Sequence, residues 1–266
     1  MRELPAVEAI EELKVKLAKI EDREKKARIT RFVVSALSNV PWVGGLIGAG
    51  SAFHAEREQG RINDLQRLWM EEHQRKIGEL ASTIFKIIDK IEAAQQEFSE
   101  RWYTDEYLGL IRKGFSVWNE VETHEKRECV RRLLTNASLS RLSSDDMVRL
   151  FLDWINTYHE THFLVIREIY THKHITRAGI WKNISNSQPE ENSIEADLYK
   201  LLIRDLSTGG IIRQVKQDSN KKTIRQEKGK YKSAFDGIEP YELTALGHRF
   251  VLYTMEEISS LQIDPD

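Results

Sequence analysis

The sequence predicts a mainly α-helical protein, built from a long N-terminal helical hairpin with an apolar tip and a small C-terminal α/β module. Three observations lead there. Ile77, Leu80, Ile84, Ile87, Ile91, Ala94 and Phe98 step by three and four without a slip, as in a helix that buries one seam against another. Residues 32–53, FVVSALSNVPWVGGLIGAGSAF, are 22 positions without a charge, in a chain where Asp, Glu, Lys and Arg make up 31%. Near the C-terminus a helix, a glycine pair, a strand, a charged loop, a second strand and a last helix follow in turn.

The elements follow in order. Ile10, Leu13, Leu17 and Ile20 put an apolar stripe on a helix over about 6–27, and Pro5 suits its first turn. Asn39-Val40-Pro41 breaks any helix there, because a residue before proline avoids the α region. The uncharged segment therefore reads as two short apolar arms around a bend. The 77–98 helix comes next, with the stripe of the first helix as its expected partner and the uncharged segment as the turn between them. A third helical region covers about 105–137. Ser143-Ser144-Asp145-Asp146 offers a hydroxyl cap and first-turn carboxylates, so a helix starts there and buries Met147, Leu150, Phe151, Trp154 and Ile155. Helix continues over 158–170, with Val165, Ile166 and Ile169 apolar, and SNSQPEENS at 185–193 is a polar loop.

From there EADLYKLLIRDL at 195–206 is helical, Gly209-Gly210 stops it, and Ile211-Ile212-Arg213-Gln214-Val215 reads as a strand. Tyr241-Glu242-Leu243 returns as a second strand, and Thr244 caps a final helix with Leu246, Phe250, Val251 and Tyr253. That order is the order of a winged-helix-like module, which helices at about 158–170 and 175–184 complete. The expected division is 1–137, a helical bundle with the apolar segment 32–53, and 138–266, a helical layer with the winged-helix-like module.

Composition narrows the function classes. Lys plus Arg is 40 against 42 for Asp plus Glu, a formal net charge of −2, so no global field draws the chain to nucleic acid or an anionic membrane. Cys129 is the only cysteine, which excludes an internal disulfide and fits a reducing cytosol. The opening MRELPAVEAIEELK is acidic and amphipathic, so no secretory leader is expected. The glycines of GGLIGAG lack the lysine of a phosphate-binding loop, and no nucleotide or other cofactor is expected.

Four sets of residues are candidates for chemistry or binding. In the uncharged segment, Val43, Gly44, Leu46, Ile47 and Gly48 are the membrane or partner candidates, since Gly44-x-x-x-Gly48 lets helices approach closely in lipid. The alternative is a buried turn between two helices. In the charged loop, Lys216, Lys221, Lys222, Arg225, Lys228 and Lys230 are the nucleic-acid candidates, as a basic wing lies along phosphates. The helix at 195–206 carries Glu195, Asp197 and Asp205 against Lys200 and Arg204, which suits a groove poorly; the alternative is a solvated hairpin or a protein contact. His159 and His162, three apart, are the one metal candidate. Arg167-x₄-His172 has the spacing of the pair in HEPN-type ribonucleases, where Arg167 would hold phosphate and His172 would activate a 2′-hydroxyl.

EKRECVRRLLTNAS, DDMVRLFLDWINTYHETHFLVIREIY, DLYKLLIRDLSTGGII and YELTALGHRFVLY together resemble the abortive-infection alpha type of bacterial phage-exclusion protein, over about 125–255. The resemblance rests on an LL-x-NA helix motif and a terminal LT-x-LG-x-x-F motif. It implies phage resistance and brings no catalytic residues with it. The leading expectation is therefore a non-enzymatic, cytoplasmic defence or prophage-associated protein. It would act through its apolar segment, at the inner membrane if that segment inserts, and through protein partners or self-association of its long helices. A winged-helix nucleic-acid binder and a HEPN-like ribonuclease are the alternatives.

Overall fold

The computed structural model describes residues 15, 18–40, 64–93, 101, 104–139, 143–186, 190–215 and 239–256. These residues are mainly helical, with nine helices and two short strands among them. They fall into two compact units, which divide between Asn156 and Thr157.

Among the described residues the first unit holds α1 (Arg23–Ser38), α2 (Asp64–Ala93), α3 (Asp105–Glu120), α4 (His124–Leu139) and α5 (Asp145–Thr157), the last ending at the unit boundary. The Asp22 carboxylate accepts from the Glu24 and Lys25 N–H groups, at 2.9 and 3.2 Å, and so starts α1. Within the expected 6–27 helix, Val15, Ala18 and Lys19 are helical and residues 20–22 interrupt it; α1 then runs into the uncharged segment as far as Asn39, where the sequence places its break. Phe32, Val33 and Ala36 of that segment are buried, and Val34 is 60% exposed.

The α2 seam is where the repeat puts it. Leu80, Ile84, Ile87 and Ile91 are buried, while Ile77 is only half-buried. Among the described residues α2 packs chiefly on α4, and α1 chiefly on α3; the stripe expected to cover the seam lies, apart from Ile20, outside them. The α1–α2 contact is slighter and antiparallel, with Lys25 Nζ 3.0 Å from Glu92. Ile10, Leu13, Leu17, Ala94 and Phe98 lie outside the described residues. The third helical region divides at Val121-Glu122-Thr123, where the Thr123 hydroxyl accepts from Lys126 N–H at 3.4 Å. α3 and α4 then cross closely, because Gly114 leaves room for Leu134. Phe32 stacks on Tyr107, whose hydroxyl donates to the Leu134 carbonyl at 2.8 Å, so α1, α3 and α4 share one core. Burial pushes the Tyr107 phenol well above its usual range. Glu79 of α2 pairs with Arg127 of α4, whose guanidinium lies 5.0 Å over the Trp118 ring.

α5 begins as expected, with Ser144 Oγ accepting from Met147 N–H at 3.3 Å. Its buried face is turned by one residue from the expected one. Val148, Phe151, Leu152, Trp154 and Ile155 are buried, whereas Leu150 is 37% exposed and Met147 half-buried. Lys113 reaches Asp153 at 2.7 Å and Asn156 donates to Glu120 at 2.8 Å, which tie α5 to α3.

The second unit comprises α6 (Glu160–Thr171), α7 (Arg177–Ser185), α8 (Ile194–Thr208), β1 (Ile212–Gln214), β2 (Tyr241–Leu243) and α9 (Ala245–Thr254). The expected helix at 158–170 starts later than its pattern suggests, because His159 is an extended cap residue. β1 and β2 pair antiparallel, with Ile212 opposite Leu243 and Gln214 opposite Tyr241. Ile175 adds a bridge on the other side of β2, its carbonyl accepting from Tyr241 N–H at 2.9 Å. Gly210 has φ +76°, the left-handed conformation that lets the chain leave α8 and enter β1. Thr244 closes the arrangement: its hydroxyl donates to the Gly210 carbonyl at 2.6 Å and accepts from Gly247 N–H at 3.0 Å.

Candidate interaction site

The candidate membrane residues Val43, Gly44, Leu46, Ile47 and Gly48, and the candidate nucleic-acid residues Lys216, Lys221, Lys222, Arg225, Lys228 and Lys230, lie outside the described residues. The fold still bears on the uncharged segment, because its first arm is committed to the α1 core. Residues 41–53, the rest of that segment, lie outside the described residues. No helix among the described residues is long and apolar enough to cross a membrane.

The histidine candidates are engaged within the second unit. His162 is buried, 4% exposed, and its Nδ1 accepts from the His159 N–H at 3.1 Å. That bond fixes the neutral tautomer with its proton on Nε2, which lies 3.9 Å from Asp205 Oδ2. Among the described residues no group of three His, Cys, Asp or Glu is placed to hold a metal ion. Arg167 is exposed on α6, and His172 caps the C-terminus of that helix. His172 Nδ1 is 3.1 Å from Glu168 of its own helix, so a carboxylate already faces the ring.

His162 has a titration consequence. Burial holds it below its usual 6.5, against the opposing pull of Asp205. The unfolded chain therefore binds this proton more readily than the folded one. Its contribution to stability is complete above about pH 6.5 and is lost as pH falls below that value. Protonation would also require Nδ1 to donate, which the His159 N–H forbids. We expect the thermal midpoint to drop from pH 7 to pH 5, and His162→Asn to flatten that slope. An unchanged slope in the variant would assign the pH dependence to other groups.

The side chains that sequence reading missed are on α8. Ala196, Tyr199, Leu202, Ile203 and Leu206 form its buried face. On the opposite side Ile194 is 85% exposed, Leu198 44% and Leu201 40%. Asp197 and Arg204 flank them, their side chains 75% and 72% exposed. The signal is present in EADLYKLLIRDL, which has more apolar residues than one helical face can bury. Ser193 starts the helix, accepting from Ala196 N–H at 3.1 Å, and Gly209 ends it, so the stripe occupies a capped, rigid element. No family model, curated protein or solved structure matches the chain.

Proposed function

We propose that the chain is a non-enzymatic bacterial defence protein of the abortive-infection type, whose C-terminal unit is a winged-helix-like module that binds protein rather than nucleic acid. The order α6, Ile175 bridge, α7, α8, β1, β2, α9 supports the module reading, with α8 in the position of the helix that enters a groove in nucleic-acid-binding proteins of that architecture. The observation that carries the reading is the outward face of α8, where Ile194, Leu198 and Leu201 stand beside Asp197 and Asp205. A groove walled by phosphates repels carboxylates and offers nothing to three aliphatic side chains. A protein surface rewards both.

Leu198→Asp tests it. The side chain is 44% exposed, so the variant should accumulate and melt like the parent. We expect the parent to lower plaque formation by at least one phage of a diverse panel, and the variant to restore it. Protection by Leu198→Asp at the parent level would remove α8 as the acting surface. A parent that protects against no phage, or duplex binding that Leu198→Asp weakens, would overturn the reading.

A further inference from the structure

We propose that α8 pairs with α8 of a second copy of this chain, antiparallel about a two-fold axis, a proposal that rests on the protein-binding reading of this face. The exposed face is self-complementary. Leu198 and Leu201 are the centre of the stripe, and Asp197 and Arg204 lie seven residues apart, about two turns, along one flank. The midpoints of both pairs fall beside Lys200. A two-fold axis through that point brings Leu198 against the partner's Leu201. The same rotation keeps each flank beside its own copy, so Asp197 meets the partner's Arg204, and Arg204 meets the partner's Asp197.

Lys200 does not oppose this arrangement. It is turned to Glu191 at 3.0 Å and to Asp197 at 3.4 Å, so its charge is balanced within one chain. A parallel pairing about a two-fold would carry the Asp197–Arg204 flanks of the two copies to opposite sides of the seam, so neither charge would meet its opposite, and that arrangement is disfavoured. One helix pair covers less than the standard interface of about 1,600 Å², so the association is weak and concentration-dependent.

The experiment is sedimentation equilibrium of the full chain over the micromolar to millimolar range. Asp197→Arg and Arg204→Asp each place like charges in both flank contacts, and each should weaken self-association about tenfold. Both side chains are largely exposed, so melting should match the parent. In an equal mixture of the two variants, one copy presents two cations along its flank and the other presents two carboxylates. Both flank contacts then join opposite charges again, and the mixture should recover the parent's association. A parent that stays monomeric, single variants that associate like the parent, or a mixture that fails to recover would each overturn the proposal. If the parent is monomeric and Leu198→Asp still abolishes protection, the protein-binding reading stands with a different partner and self-pairing falls. If Leu198→Asp keeps full protection, the reading beneath it falls as well.

Discussion

Gly247→Val should strongly destabilise the C-terminal unit. A Cβ at this position would lie 2.1 Å from the Ile211 carbonyl oxygen and 3.1 Å from its carbon. The obstacle is backbone, so no rotamer change relieves it. Ile211 is further held by two bonds its carbonyl accepts, from Thr244 N–H at 2.9 Å and from the Thr244 hydroxyl at 3.3 Å. Overpacking a core costs about 1–3 kcal/mol where side chains can give way. Against fixed backbone the loss should reach at least the upper end. For a unit of this size that lowers the melting midpoint by about 10 °C or more. Circular dichroism on heating, with the parent alongside, reads the effect. A midpoint within about 2 °C of the parent would mean that β1 retreats freely from α9.

Ile84→Asp should abolish cooperative folding of the first unit. Ile84 is 1% exposed in the middle of the α2 seam, between Leu80 and Ile87. An unpaired carboxylate there costs several kcal/mol, a large part of the roughly 5–15 kcal/mol by which domains are stable. The expected protein is insoluble, or soluble without a cooperative melt. A variant that melts like the parent would show that the seam does not hold this unit together.

These two positions indicate what is legible in the sequence. The α2 seam can be read from period alone, because successive repeats of isoleucine or leucine leave one face to bury. Its main neighbour, α4, cannot, because period fixes which face is buried and says nothing of what covers it. The caps at Ser144, Ser193 and Thr244 are readable from a hydroxyl ahead of an apolar run. The start of α6 is hidden, since His159 stands at the cap in place of a hydroxyl or carboxylate residue, and the His162 imidazole that accepts its N–H takes the place of the usual glutamate or glutamine. The outward stripe of α8 is hidden for another reason. Its apolar residues look like core residues in the sequence, and only burial separates Leu198 and Leu201 from Leu202 and Ile203.

The two motifs behind the phage-exclusion resemblance have structural explanations. In LL-x-NA, Leu133, Leu134 and Ala137 are wholly buried, and Leu134 fills the space left by Gly114. In LT-x-LG-x-x-F, Thr244 is a cap and a strand clamp, Gly247 clears the Ile211 carbonyl, and Phe250 is wholly buried. Both motifs are thus accounted for by packing.

The bridge between Ile175 and Tyr241 makes the second unit a late folder. α6, α7 and α8 leave the ribosome first, yet the edge at Ile175 has no strand to meet until β2 follows. Closing that long loop precedes any reward from the contacts it creates, which slows the search for the native pairing. The first unit's described helices are complete by Thr157 and can settle during synthesis, while the second unit waits for nearly the whole of its own sequence. A nascent chain arrested before Leu243 would expose both the Ile175 edge and the apolar underside of α8. Such chains would be substrates for chaperones and proteases until β2 emerges.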